Sequence, residues 1–210
     1  MFTKAISSHT ADALAILGKS GILNSAYLAG GTACALHLGH RFSHDLDFFT
    51  DQEFPTKVVV NQLQKLKGYT PARTAKWTIL GSFPEVKFSY FYYPYPLIGG
   101  TSQFLGLGIA SLEDIAAMKI AAICDRGVKR DFIDLYFIAK KITVREALNL
   151  YDKKYQKLAN NLYHILKSLQ YFGEADQQEL PEMITGVSWD KVKTFFRKEV
   201  RKLSHKLLGI

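Results

Sequence analysis

Residues 28–50 read LAGGTACALHLGHRFSHDLDFFT, and this stretch decides the fold. Asp45 and Asp47 stand one residue apart inside an apolar run. In a β-strand, side chains at i and i+2 point to the same face. The two carboxylates are therefore expected side by side, with Leu46, Phe48 and Phe49 supplying the packing. Adjacent like charges repel, and folding alone gives no reason to set them together. A divalent cation does, because hard oxygen ligands on one face suit Mg²⁺ and a substrate phosphate. Just upstream, Gly30-Gly31-Thr32 follows a short apolar segment and precedes a helical pattern. A strand, a tight glycine turn and a helix N-terminus present free N–H groups and the positive end of a helix dipole to an anion. Gly30, Gly31 and Thr32 are the expected phosphate cradle, with the Thr32 hydroxyl as a further donor.

Bulk properties set the frame. The chain has 210 residues, nearly half of them apolar, which is enough to bury a core and excludes a disordered chain. No run of 18 or more apolar residues occurs, so no membrane-spanning helix is expected. The N-terminus reads as a helix start rather than a signal peptide. Cys34 and Cys124 both lie in apolar helical patterns and read as buried thiols of a cytoplasmic protein. The net charge of +8 points to an anionic partner, nucleic acid or nucleotide first. The charge concentrates in residues 187–210, where Lys191, Lys193, Arg197, Lys198, Arg201, Lys202 and Lys206 face only Asp190 and Glu199. That stretch is either a solvated helix face or a phosphate-tracking surface.

Along the chain, helical patterns are expected at 8–19, 32–38 and 55–66, and strands at 26–29 and 45–50. Two β-rich runs, 75–80 and 86–93, read as a hairpin joined by Gly81-Ser82-Phe83-Pro84. Residues 97–110 hold four glycines and read as a loop with at most a small strand. Ser111 to Asp114 opens a helix in the manner of a capping box, Gly127 interrupts it, and a second apolar helical run begins near Phe132. Helices follow at 143–151, 155–172 and 190–207, with a linker at 173–186. The expected organisation is an α/β domain over 1–110 and a helical domain over 111–210.

Lys119 is almost alone on an apolar helix, so its ammonium needs an anionic partner or a route to solvent. Helical geometry puts Lys119 and Arg126 on one face, joined by Arg130 if the helix continues past Gly127, a basic stripe suited to a triphosphate. Asp131 and Asp134 can meet on one helix face, although Asp134 could equally pair with Arg130 or Lys129. His37, His40 and His44 cluster near the aspartates, but no cysteine or glutamate completes a zinc set at ligand spacing.

With Arg41 and Ser43 just ahead of the aspartates, the order strand, Gly-Gly, helix, D-x-D strand resembles the signature of the nucleotidyltransferase superfamily. The finer match, GGTACALHLGHRFSHDLDFF at 30–49, is similar to the AbiEii/AbiGii toxin family of nucleotidyltransferases, bacterial proteins encoded with an antitoxin. LEDIAAMKIAAICDRGVKRDFIDLYFI at 112–138 resembles the later motifs of that family, a lysine in an apolar helix and a basic-Asp pair opening a D-x-x-D-L helix. The resemblance covers roughly residues 10–140 and fades in the last third.

It implies an α/β (α+β) fold, a nucleotidyltransferase-like mixed sheet flanked by helices and followed by a helical C-terminal region. It implies Mg²⁺ (or Mn²⁺) held by Asp45 and Asp47, an NTP substrate, and Lys119 and Asp131 brought to the cleft as further catalytic groups. Arg41, Ser43 and Arg126 are the implied NTP contacts beside the glycines. Ser89 joins them by position, where many members carry a third carboxylate, and that departure bears on the second metal and on the base for the attacking hydroxyl. The implied acceptor is RNA, tRNA included, and the implied protein partner is an antitoxin, with no membrane involved. A small-molecule nucleotidyltransferase of the antibiotic-modifying type and a non-catalytic nucleotide- or partner-binding relic are the alternatives.

Overall fold

The structure, a computed structural model, describes Met1–Leu208; Gly209 and Ile210, which end the basic stretch and the second expected domain, lie outside the described residues. The chain divides into two compact units, Met1–Ser111 and Leu112–Ile210.

The first unit is α/β. After a 3-10 turn come α1 (Ser8–Ser20), β1 (Tyr27–Ala29), α2 (Gly30–Leu38), β2 (Leu46–Thr50) and α3 (Thr56–Leu63). Five β elements complete it: β3 (Thr70–Ala75), β4 (Thr78–Phe83), β5 (Val86–Tyr92), β6 (Thr101–Phe104) and β7 (Leu107–Ala110). Ser7 caps α1 by accepting from the Thr10 amide, and Gly21 ends that helix in the left-handed region. The strands form one mixed sheet in the order β3-β4-β5-β2-β1-β7-β6. β2 is parallel to β5 and β1 to β7, and the other neighbours are antiparallel. Registration sets Leu28, Phe48, Tyr90, Ile79 and Ile109 on one fully buried face. Asp47, Phe49, Ser89 and Phe91 lie on the opposite face, only partly covered.

Two sequence readings are corrected here. The hairpin read over 75–93 is present as the antiparallel pair β4–β5, but its turn is Pro84-Glu85 rather than 81–84. Lys76-Trp77 and Pro84-Glu85 are turns, with Trp77 and Glu85 at positive φ, and Gly81, Ser82 and Phe83 belong to β4. β3 escaped notice because every one of its residues is exposed at the sheet edge, so no apolar alternation marks it. Pro71 is tolerated there, where a missing N–H breaks no internal ladder. Residues 97–110, expected as a loop with at most a small strand, hold two strands. β6 and β7 form a hairpin through Leu105-Gly106, both at positive φ, the two-residue turn whose twist matches the strands.

The second unit is helical: α4 (Leu112–Asp125), α5 (Lys129–Ile138), α6 (Val144–Tyr155), α7 (Leu158–Ser168), α8 (Gly173–Asp176) and α9 (Trp189–Leu208). Its core gathers around Phe132 of α5, whose ring meets those of Phe172, Trp189 and Phe196 at 5.1, 5.9 and 5.4 Å. α9 buries Val192, Phe196, Val200 and Leu203, a spacing that keeps one stripe on the core. Thr143 and Glu146 close a full capping box on α6. α8 falls inside the stretch expected as a linker. Among the described residues, no helix is long and apolar enough to cross a membrane.

Candidate active site

β1 runs without a break into α2. Gly30 is the first helical residue and Ala29 supplies no side-chain cap, so the opening amides are left to an incoming group. Gly30 sits at φ +68°, a conformation that a Cβ opposes. A Cβ there would also lie 3.0 Å from Asp47 Oδ2. One on Gly31 would lie 2.5 Å from Arg41 Nη2 and 3.2 Å from Ser43 Oγ. The glycine turn is therefore packed directly against Asp47, Arg41 and Ser43.

The residues between α2 and β2 are tied to the turn. Thr32 is fully buried, and its hydroxyl meets Ser43 Oγ at 2.9 Å and the Asp45 carbonyl. Its side chain thus tethers the approach to β2 and leaves its amide for the cradle. Arg41 is buried, with Nη1 donating to the Phe42 carbonyl at 2.9 Å. Ser43 is buried, and its amide donates to the Ala5 carbonyl.

Asp47 lies in β2, and Asp45 one residue before the strand begins, both half-buried. Asp47 stands in register with Ala29 on one side and Ser89 on the other. One residue pair further along, Tyr27, Phe49 and Phe91 form an aromatic row, with centroids 6.1 and 5.7 Å apart. The three nearby histidines occupy different settings: His37 meets the Ala110 carbonyl, His40 is fully buried, and His44 is exposed.

The helical unit holds a second cluster. Lys119 is nearly buried, and its Nζ lies 2.8 Å from Asp131 Oδ1 and 2.5 Å from Asp134 Oδ2. Arg126 donates to Asp131 from Nε at 2.9 Å and from Nη2 at 3.2 Å, while half its side chain stays exposed. Burial alone would push the Asp131 carboxyl up. The Lys119 charge and the Arg126 hydrogen bonds outweigh it and hold the carboxyl below the usual carboxylate range. Asp134 thus pairs with Lys119, and α4 ends at Asp125, so the stripe expected past Gly127 is broken there and Arg130 belongs to α5. Arg126 meets Lys119 through Asp131 instead.

A further buried ion pair joins two helices of this unit. Lys154 Nζ lies 2.7 Å from Asp114 Oδ1, both side chains fully buried, joining α6 to α4. No local pattern signals it, since the partners are 40 residues apart.

A family profile described as "Nucleotidyl transferase AbiEii toxin, Type IV TA system" matches residues 12–78 and 80–205. The chain belongs to the AbiEii family. The match reaches well past residue 140, through the helices where the sequence motifs had faded. An uncharacterized protein of Aquifex aeolicus (strain VF5) is 39% identical over 188 residues, covering 87% of this chain and 89% of that protein. Two solved structures share the fold. One, described as a candidate nucleotidyltransferase from H. pylori, has a TM-score of 0.56 at 18% identity, covering 97% of this AbiEii chain and 98% of its own. The other is MenT4, a nucleotidyltransferase toxin from Mycobacterium tuberculosis H37Rv, with a TM-score of 0.53 at 16% identity, covering 94% and 86%. This AbiEii protein thus belongs to a nucleotidyltransferase family and shares the fold of these two structures.

Proposed function

We propose that this protein moves a nucleotidyl group from an NTP to an RNA acceptor, tRNA foremost, as the toxin of a toxin–antitoxin pair. The observation that carries the reading is the packing of Gly30 against Asp47 at the uncapped start of α2. That packing supports a site in which phosphate donors meet a metal-ligating carboxylate.

The residues present fit a divalent cation. Asp45 and Asp47 offer hard oxygen donors, and the space a Cβ at Gly30 would fill is kept open beside Asp47 Oδ2. Mg²⁺ or Mn²⁺ held there would draw charge from the phosphates and orient them. The α2 amides and Ser43 bind the phosphates, and Arg41 holds the cradle in shape from beneath Gly31. The acceptor hydroxyl oxygen bonds to the α-phosphorus, the bond to the bridging oxygen breaks, and pyrophosphate leaves. With Ser89 beside Asp47 in place of a carboxylate, the hydroxyl proton passes to the Asp45–Asp47 pair. The family motifs assign Lys119 to the triphosphate, with Arg126 beside it, and Asp131 holds both by ion pairs within the helical unit.

The exposed basic residues of α9, Arg197, Lys198, Arg201 and Lys202, supply long-range attraction for a polyanion. The same face would suit an acidic antitoxin segment.

The experiment is incubation with each α-labelled NTP, with and without Mg²⁺, against total RNA and against a panel of amino-sugar antibiotics. Metal-dependent label in RNA supports the reading. Label in the small molecules alone would replace it with the antibiotic-modifying alternative, and label in neither would favour a non-catalytic relic.

A further inference from the structure

Apart from Arg126, a further feature of the helical unit lies outside the groups used above. A cavity of about 400 Å³ opens between the end of α4 and the end of α7. Arg126 and Lys167 line it with positive charge, Asp125 and Glu174 with carboxylates, and Tyr171 with an aromatic ring. Tyr163 and Tyr171 are the two most exposed large hydrophobic side chains among the described residues, at 68% and 63%. Tyr163 lies one turn before Lys167 on α7, and Tyr171 follows beyond the end of that helix at Ser168. Lys167 and Tyr171 both line the cavity, and the order along the chain is ring, cation, ring.

We propose that this edge and its cavity bind single-stranded RNA, with one nucleotide unit seated in the cavity. The proposal deepens the function above by locating the acceptor, and rests on it for its purpose. Every base has a π-face, so exposed rings make a stacking platform that tolerates sequence, while an interleaved cation meets the backbone. A site for a bare anion would have no use for Asp125 and Glu174. Carboxylates do suit ribose hydroxyls and the amino groups of bases. A cavity of this size takes a single nucleotide. Arg126, clamped by Asp131 and half exposed, brings a fixed guanidinium to its wall. Continuity with the basic helix adds to the case: Arg197 of α9 lies over the Phe172 ring, next to Tyr171.

The test uses the intact chain, a fluorescein-labelled adenylate octamer, and fluorescence anisotropy without NTP or divalent cation. Tyr163→Ala, Tyr171→Ala and Lys167→Gln are each expected to weaken octamer binding on the order of tenfold. Tyr171→Phe should bind as wild type, since the ring is what stacks. All three positions are exposed, and melting curves should stay unchanged. Cys124 also lines the cavity and Cys34 is fully buried, so thiol alkylation reports occupancy. Bound octamer should slow it, and AMP should compete only weakly. Wild-type affinity in all three variants, unchanged Cys124 alkylation with octamer bound, or AMP competing as well as the octamer would overturn the proposal. Transfer from labelled NTP is scored separately, so an intact transferase with unaltered octamer binding rejects this surface and leaves the activity standing.

Discussion

A Cβ on Gly30 would sit 3.0 Å from Asp47 Oδ2, so the glycine turn and the strand carboxylate are packed as one unit. The contact joins the end of β1 to β2, whose register pairs Ala29 with Asp47. Glycine is required there twice over, by backbone conformation and by space.

Gly30→Ala and Gly100→Ala separate those two requirements. Both residues have φ near +70°, but nothing lies within 4 Å of a Cβ at Gly100. Each substitution should cost about 1–2 kcal/mol in denaturant unfolding, from the left-handed backbone alone. Only Gly30→Ala should also lose nucleotidyl transfer, by displacing Asp47. Equal activity in the two variants would detach the turn from the chemistry.

Lys119→Ala should be strongly destabilising, because it leaves the fully buried Asp131 and Asp134 short of a partner. Removing one member of a buried ion cluster costs about 3–5 kcal/mol. Its effect on transfer must therefore be read alongside a melting curve. The acid limb of stability reports the same cluster. Asp131 is held below its unfolded value of about 3.9. Its contribution is present above the unfolded pKa and lost as pH falls through the folded one. Asp131→Asn should lower stability near neutral pH and flatten the decline below about pH 4, measured by urea midpoints across that range.

Lys154 and Asp114 should behave as a structural pair. Lys154→Met alone is expected to cost about 3–5 kcal/mol by leaving a buried carboxylate. Combined with Asp114→Leu, much of that loss should return, since two apolar groups of similar size need no partner. Chemical denaturation of the three variants checks this, and a double variant as unstable as Lys154→Met would show that Asp114 is needed for something other than Lys154.

The elements that were legible in the sequence are those with local signals. Gly30-Gly31 and the alternation through Asp47 to Thr50 mark β1, α2 and β2. Gly21 marks the end of α1. What escaped had no such signal. β3 buries no residue and so shows no alternation, and the β6–β7 turn places the non-glycine Leu105 at φ +52°. Partners in space were hidden for the same reason. Lys119 clearly needed an anion, but Asp134 had nearer bases in sequence, and only the fold of α5 against α4 brings it to Lys119. Thr32 read as a phosphate donor by its place in the turn, and the structure directs its hydroxyl to the Asp45 carbonyl.

The exposed cations of α9 give a salt-dependent prediction. Arg197, Arg201 and Lys202 all face solvent, and neutralising them together should weaken RNA binding and reduce its slope against salt by up to about three. Titration of total tRNA at several salt concentrations measures both. Unchanged affinity and slope would assign this face to a protein partner instead.

The most direct measurement is transfer of label from α-labelled NTP to RNA by wild type, Asp45→Asn and Asp47→Asn, with matched melting curves. Each substitution keeps side-chain size, removes one of two neighbouring charges, and deletes an oxygen donor for the cation. The account predicts folded proteins, at least as stable as wild type, with Mg²⁺-dependent transfer abolished in both. Near-wild-type transfer by either variant would contradict it.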